Sequence, residues 1–217
     1  DAQHGISNYS FGLLRYWTKR LTILFSDIEG LTRVIENVDE SAVAAWSNRY
    51  FCAVTIIAEI HGGTVHKFLR DSPMVFFGDP ESEAPVADAY AGVAMVIEMR
   101  DPLICLADEL GHYTLHIRIG IHTGYCLIGS SGSESRKDHT ALGSLANLAS
   151  RIESAAASDE ILISEETYRL LRPWIRVVSR GKKHLKGISS AVAVYSVYAL
   201  TCPGNGRYLS DRIQLLN

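Results

Sequence analysis

No stretch of the 217 residues approaches the 18 or more consecutive apolar positions of a membrane-spanning helix, and the N-terminus DAQHGISNYSFGLLRYW lacks the layout of a secretion signal. A chain without either reads as cytoplasmic, with no direct membrane contact. Cysteine is scarce: Cys52, Cys105, Cys126 and Cys202 form no CxxC pair and no Cys/His cluster at zinc spacing, so reduced thiols are expected in place of a disulfide scaffold or structural zinc. A surplus of either charge is also missing. The 21 Lys+Arg against 24 Asp+Glu leave a net charge of -3, which gives no global attraction for nucleic acid or an anionic membrane. Any anionic ligand must therefore be held by a local group of cations. Repeats, low-complexity tracts and a clear linker are absent as well, and the 47% hydrophobic and 21% charged content is that of one globular domain. A chain of this length buries roughly 70% of the surface that its unfolded form exposes, so core size is not limiting.

The first apolar run, Leu21 to Phe25, is short and rich in strand formers, and it ends at Ser26-Asp27 and the turn residue Gly30. From Ser41 to Ile60 apolar residues recur every three or four positions (Val43, Trp46, Tyr50, Val54, Ile57, Ile60), which predicts an amphipathic helix capped by Asp39 and stopped at Gly62-Gly63. Thr64 to Leu69 and Met74 to Phe77 read as a hairpin around the Arg70-Asp71-Ser72-Pro73 corner. A second helix is expected over Glu83 to Leu110, with Pro102 as a breaking point. Leu115 to Ile121 alternates apolar residues with His116, Arg118 and Gly120, and Tyr125 to Ile128 follows across Thr123-Gly124, which predicts another hairpin. Gly143 to Ser154 reads as a helix, Ile161 to Ile163 as a strand, Ser164 to Leu171 as a helix and Val192 to Val197 as a closing strand. The order strand, helix, two strands, helix, strand is that of a ferredoxin-like βαββαβ α+β sandwich with a small α/β extension.

Asp27 directly follows a strand and Asp71 sits at the tip of the next hairpin, a topology that can bring two carboxylates to one sheet edge. Such oxygens suit Mg²⁺ or Mn²⁺, whereas each aspartate taken alone is an ordinary turn residue. The surrounding residues extend the pattern. Phe25-Ser26-Asp27-Ile28-Glu29-Gly30-Leu31-Thr32 resembles the FSDI-x-G-x-T segment of class III nucleotide cyclases. Gly62 to Asp71 is similar to that family's GGT-x-x-K-x-x-GD hairpin, Ile119 to Gly124 to its G-I-x-x-G segment, and Gly143 to Ser154 to its N-x-x-x-R helix. The similarity keeps the family's order over residues 20–198, which is expected to be the catalytic domain between a lead segment, 1–19, and a tail, 199–217.

The resemblance implies a head-to-tail homodimer with active sites at the subunit interface. It assigns two divalent cations per site to Asp27, Asp71 and the backbone carbonyl of Ile28, and transition-state roles to Asn147 and Arg151. The activity implied is conversion of a nucleoside triphosphate to a 3′,5′-cyclic nucleotide and pyrophosphate, read by a downstream effector. Asn147 and Arg151 are four apart and share a helix face, where an amide can orient a ribose and a guanidinium can stabilise charge developing on the α-phosphate. Lys186 resembles the family's phosphate-contacting lysine and is equally one more cation of the surface run Arg180 to Lys186.

Lys67 and Thr140 align with the two base-reading positions, and a Lys with a Thr favours ATP and adenylate cyclase activity. Arg70, however, stands where the family has Gly before the metal aspartate, adding bulk and charge, and Pro73 follows closely. These departures leave open an inactive, nucleotide-binding relative, or a pocket reshaped for a smaller base. In the latter respect the chain resembles the bacterial anti-phage pyrimidine cyclases that make cyclic UMP or cyclic CMP, with Tyr50 placed to narrow a purine pocket. A pyrimidine substrate, UTP or CTP, is the leading expectation and ATP the alternative.

Overall fold

The structure, a computed structural model, describes residues 9–11, 14–69, 72–79, 82, 84–100, 113–130 and 143–201. Its strands are β1 (Tyr9–Phe11), β2 (Leu14–Glu29), β3 (Thr64–Leu69), β4 (Ser72–Phe77), β5 (His116–Ser130), β6 (Ile161–Ser164), β7 (Ile175–Lys183) and β8 (Val192–Leu200). Its helices are α1 (Leu31–Asn37), α2 (Glu40–Ile60), α3 (Pro85–Glu98), α4 (Gly143–Ser154) and α5 (Glu165–Leu171). The strands lie in the order β3-β4-β2-β5-β6-β8-β7, with β1 added to β2. β2, β3, β4 and β5 with the intervening helices form the expected ferredoxin-like unit. The extension joins it through β6, which runs parallel to β5.

Strand alternation sorts the core into two faces. Leu24 and Ile28 of β2, with Ile117, Ile119 and Ile121 of β5, face the cluster containing Trp46, Tyr50 and Val54 of α2 and Val93 and Val96 of α3. Leu21, Ile23 and Phe25 point the other way, into a cluster with Met74, Phe76 and Cys126 that is closed by Leu145 and Ala149 of α4. A third cluster joins Ile152 of α4 to Leu162, Leu185 and Val194, tying the extension to the same helix. Helix α2 begins as its sequence dictates, with the Asp39 carboxylate accepting from the Ser41 N–H at 3.1 Å.

Two expectations are corrected. No hairpin forms at Thr123-Gly124; β5 is one 15-residue strand, pairing with β2 continuously from Arg15↔Ser130 to Glu29↔His116. The polar pair passes straight through the sheet because the Thr22 and Thr123 hydroxyls bond each other at 2.9 Å and Thr123 reaches Thr167 at 3.1 Å. Both hydroxyls are satisfied in the interior, so no turn is needed to expose them. Likewise β2 spans 16 residues and starts at Leu14, well before the apolar run that betrayed it. β7 was missed because Arg176, Arg180, Lys182 and Lys183 give it a mostly exposed, edge-strand character. The second expected helix is observed as α3, and residues 83 and 101–110 of that expectation lie outside the described residues.

Candidate active site

Asp27 lies near the C-terminal end of β2, on the face that α4 covers, and its direct cross-strand partner is Arg118 of β5. Arg118 Nη2 donates to Asp27 Oδ2, and Ser72 Oγ donates to Asp27 Oδ1 at 3.2 Å. Ser72 opens β4, so the β3-β4 hairpin brings the start of its second strand to the end of β2. Arg118 Nε is also 3.6 Å from Glu153 Oε1, an ion pair that reaches across to α4. The side chains of Asp27 and Arg118 are 22% and 30% exposed, open enough to meet a solute yet partly desolvated. The hydrogen bond to Asp27 outweighs that partial burial and, with the charges of Asp27, Glu153 and Glu29, raises the Arg118 pKa above its usual range.

Helix α4 is seated on β5 at Gly120. A Cβ there would lie 2.1 Å from the Glu153 nitrogen and 2.5 Å from the Ala149 oxygen, so the helix backbone rests directly on the strand. This seat fixes the height of Asn147, which is exposed, and of Arg151, which is half-buried. Leu185 is buried against Ile152 and Ala156. The exposed Lys186 therefore follows a residue anchored at the C-terminal end of α4. At the same end of β2 as Asp27, Gly30 adopts φ 97° and turns the chain from Glu29 into α1. The Ile28 side chain is 3% exposed in the core, which leaves its backbone carbonyl as the atom with a possible ligand role.

Lys67 lies in edge strand β3 opposite Met74, immediately after a shift of register. Arg70, Asp71 and Thr140 lie outside the described residues. Tyr50 corrects a sequence-based expectation: it is 1% exposed and stacked on Trp46 with ring centroids 5.6 Å apart. It belongs to the core, where burial of a large ring contributes about 2 kcal/mol, and does not line an open pocket. Arg118 was not singled out from the sequence. Its signal was a cation on the polar side of an alternating strand, which resembles a solvated residue until the pairing with Asp27 is known.

The donors fit a hard divalent cation. A guanidinium already rests on Asp27, so this end of β2 stabilises positive charge, and the carboxylate and Ile28 carbonyl are oxygen ligands of the kind Mg²⁺ and Mn²⁺ take. Among the described residues no group of three or more His, Cys, Asp or Glu side chains gathers into a metal cluster. Also among them, no helix is long and apolar enough to cross a membrane.

The family model described as "Adenylate and Guanylate cyclase catalytic domain" matches residues 15–199. The chain is 28% identical over 196 residues to adenylate cyclase 1 of Rhizobium meliloti, a match covering 89% of this chain and 30% of that protein. It is 29% identical over 204 residues to an adenylate cyclase of Anabaena cylindrica, covering 91% and 40%. It thus spans well under half the length of either relative. Among solved structures it is similar to the adenylyl cyclase CyaB from P. aeruginosa, with a TM-score of 0.79 and 41% identity, covering 85% of this chain and 96% of that one. The guanylyl cyclase Cya2 gives a TM-score of 0.77 and 32% identity, covering 87% and 96%. With the fold, the order of its motifs and these matches in agreement, the chain belongs to the adenylate and guanylate cyclase catalytic-domain family, the class III nucleotide cyclases.

Proposed function

We propose that this chain is a catalytic domain that converts ATP to cyclic AMP and pyrophosphate, working as a homodimer with its active sites between subunits. The observation that carries the reading is the Asp27–Arg118 pair on the sheet face packed by Leu145 and Ala149 of α4, the helix that carries Asn147 and Arg151. Asp27, the Ile28 carbonyl and Asp71 would hold two Mg²⁺ or Mn²⁺ ions, which when bound supply a lowered pKa for the ribose 3′-hydroxyl and neutralise the departing pyrophosphate. With those cations on Asp27, Arg118 would be free to offer its planar pair of donors to a phosphate oxygen of the substrate. Asn147 orients the ribose. Arg151 meets the charge that develops on the α-phosphate, and Lys186 adds a further cation for the triphosphate.

ATP is preferred over a pyrimidine triphosphate on two grounds. Lys67 and Thr140 supply a donor and a hydroxyl suited to an adenine edge, and two of the relatives above are named adenylate cyclases and a third an adenylyl cyclase. The burial of Tyr50 removes one of the walls on which the pyrimidine reading relied. Arg70 still favours that second reading, since it adds bulk beside the metal corner. Incubating the purified protein with Mn²⁺ and each of the four triphosphates, and identifying products by mass, tests both. Cyclic AMP as the dominant product is expected. Cyclic UMP or cyclic CMP in its place reassigns the base and supports a defence role, while no cyclic product from any of them overturns the enzyme reading. In that last case Arg70→Gly restoring turnover identifies a nucleotide-binding module disabled at Arg70.

A further inference from the structure

We infer that Glu153 is a positioning residue: by holding Arg118 between two carboxylates it sets how readily Asp27 exchanges its guanidinium for a divalent cation. The inference rests on the proposed metal-binding role of Asp27. Arg118 meets Asp27 through Nη2 and Glu153 through the Nε side, 3.6 Å from Oε1. The guanidinium hydrogen-bonds Asp27 from one edge, while its Nε edge is held by charge alone next to Glu153, at a separation longer than a hydrogen bond. Glu153 is 8% exposed and its Oε2 accepts from Ser154 Oγ at 3.3 Å. Its backbone nitrogen lies over Gly120, where no side chain can intervene. The main chain of Glu153 is therefore fixed at its height over β5, and its carboxylate stands beside Arg118.

A cation arriving at Asp27 meets Arg118 on the same carboxylate. Two positive charges sharing one acceptor repel, so Arg118 must loosen its hold before the cation is fully coordinated. Glu153 provides a second anionic partner at the site, onto which the guanidinium shifts without passing into water. Remove the Glu153 charge, and Arg118 stays concentrated on Asp27, where it excludes the metal. The same residue sits two positions beyond Arg151 on α4, so the helix that presents the transition-state arginine also governs access to the metal carboxylate.

Mn²⁺ binding to the nucleotide-free protein, measured by titration calorimetry or by the electron paramagnetic resonance of free Mn²⁺, tests this without reference to turnover. Glu153→Gln is expected to weaken Mn²⁺ binding about fivefold, in the range of coupling between contacting charges. In an Arg118→Gln background the same change should have no further effect, because nothing is left to reposition. Glu153→Asp keeps the charge and retracts it by one methylene, and an intermediate weakening is expected. Unchanged Mn²⁺ affinity in Glu153→Gln overturns the inference, and so does an undiminished loss in the Arg118→Gln background, which would be a simple effect of removing negative charge. If the wild-type protein neither binds Mn²⁺ nor forms a cyclic nucleotide, the reading of Asp27 fails and takes this inference with it.

Discussion

Substituting Gly120 by alanine strikes the contact on which the placement of α4 depends. The added Cβ meets the Glu153 nitrogen at 2.1 Å, the Ala149 oxygen at 2.5 Å and the Glu153 Cα at 2.6 Å, all of them backbone atoms with no rotamer to change. Raising 2.1 Å to the 3.4 Å of ordinary contact requires a displacement of about 1.3 Å, shared between strand and helix. Overpacking of this kind costs about 3 kcal/mol when the neighbours cannot yield. For a domain of this size that lowers the melting temperature by about 6–12 °C. Activity should suffer more than stability, since a misplacement of about 1 Å in a catalytic group costs on the order of 100-fold in rate. Thermal unfolding followed by circular dichroism and steady-state cyclic nucleotide formation, measured on the same preparation, separate the two effects. A Gly120→Ala protein that melts within about 2 °C of wild type and turns over at the wild-type rate would refute the direct seating of α4 on β5.

His122 is buried on β5 with Nδ1 2.9 Å from Ser164 Oγ, and burial lowers its pKa below the ordinary 6.5, partly opposed by Glu166 at 3.9 Å. The unfolded chain thus binds the proton more readily than the folded one, so stability is greatest above pH 6.5 and declines as pH falls from there through the folded-state pKa. Urea midpoints measured across that interval should drop on acidification in the wild type and less steeply in His122→Gln; parallel curves would remove His122 as the cause. The Cys126 thiol is buried and pushed up to about 11, chiefly by desolvation, whereas Cys52 is exposed. Iodoacetamide at mildly alkaline pH should therefore label Cys52 and spare Cys126 until the protein is unfolded, as read by peptide mass spectrometry. Equal labelling of both in the native state would contradict the burial of the α4-covered face.

Much of the fold was legible because apolar periodicity and turn chemistry agreed. The stripe from Val43 to Ile57, with Asp39 before it, marked α2 and its cap, and Thr64 to Phe77 marked the β3-β4 hairpin. What the sequence hid were strands whose polar residues are satisfied by partners far along the chain. Thr123 passes through the sheet because its hydroxyl is hydrogen-bonded to those of Thr22 and Thr167, and those residues are 101 and 44 positions away. Asp27 was visible from its motif, yet the composition of its surroundings was not. Arg118 and Glu153 are 91 and 126 residues from Asp27, and strand alternation and the close approach at Gly120 bring them together. Tyr50 illustrates the opposite error: its place in the apolar stripe already indicated the core, and stacking on Trp46 confirms that simpler role.

The division of each active site between two copies of the chain is tested most directly by mixing two inactive variants, Asp27→Ala and Arg151→Ala. Each alone should lose turnover, because every site in its dimer lacks either the metal carboxylate or the transition-state arginine. With free subunit exchange, half of the dimers in an equimolar mixture are mixed and each carries one intact site, so activity should return to about one quarter of wild type. No recovery in a mixture whose subunits demonstrably exchange would contradict composite sites and place Asp27 and Arg151 in the service of the same subunit.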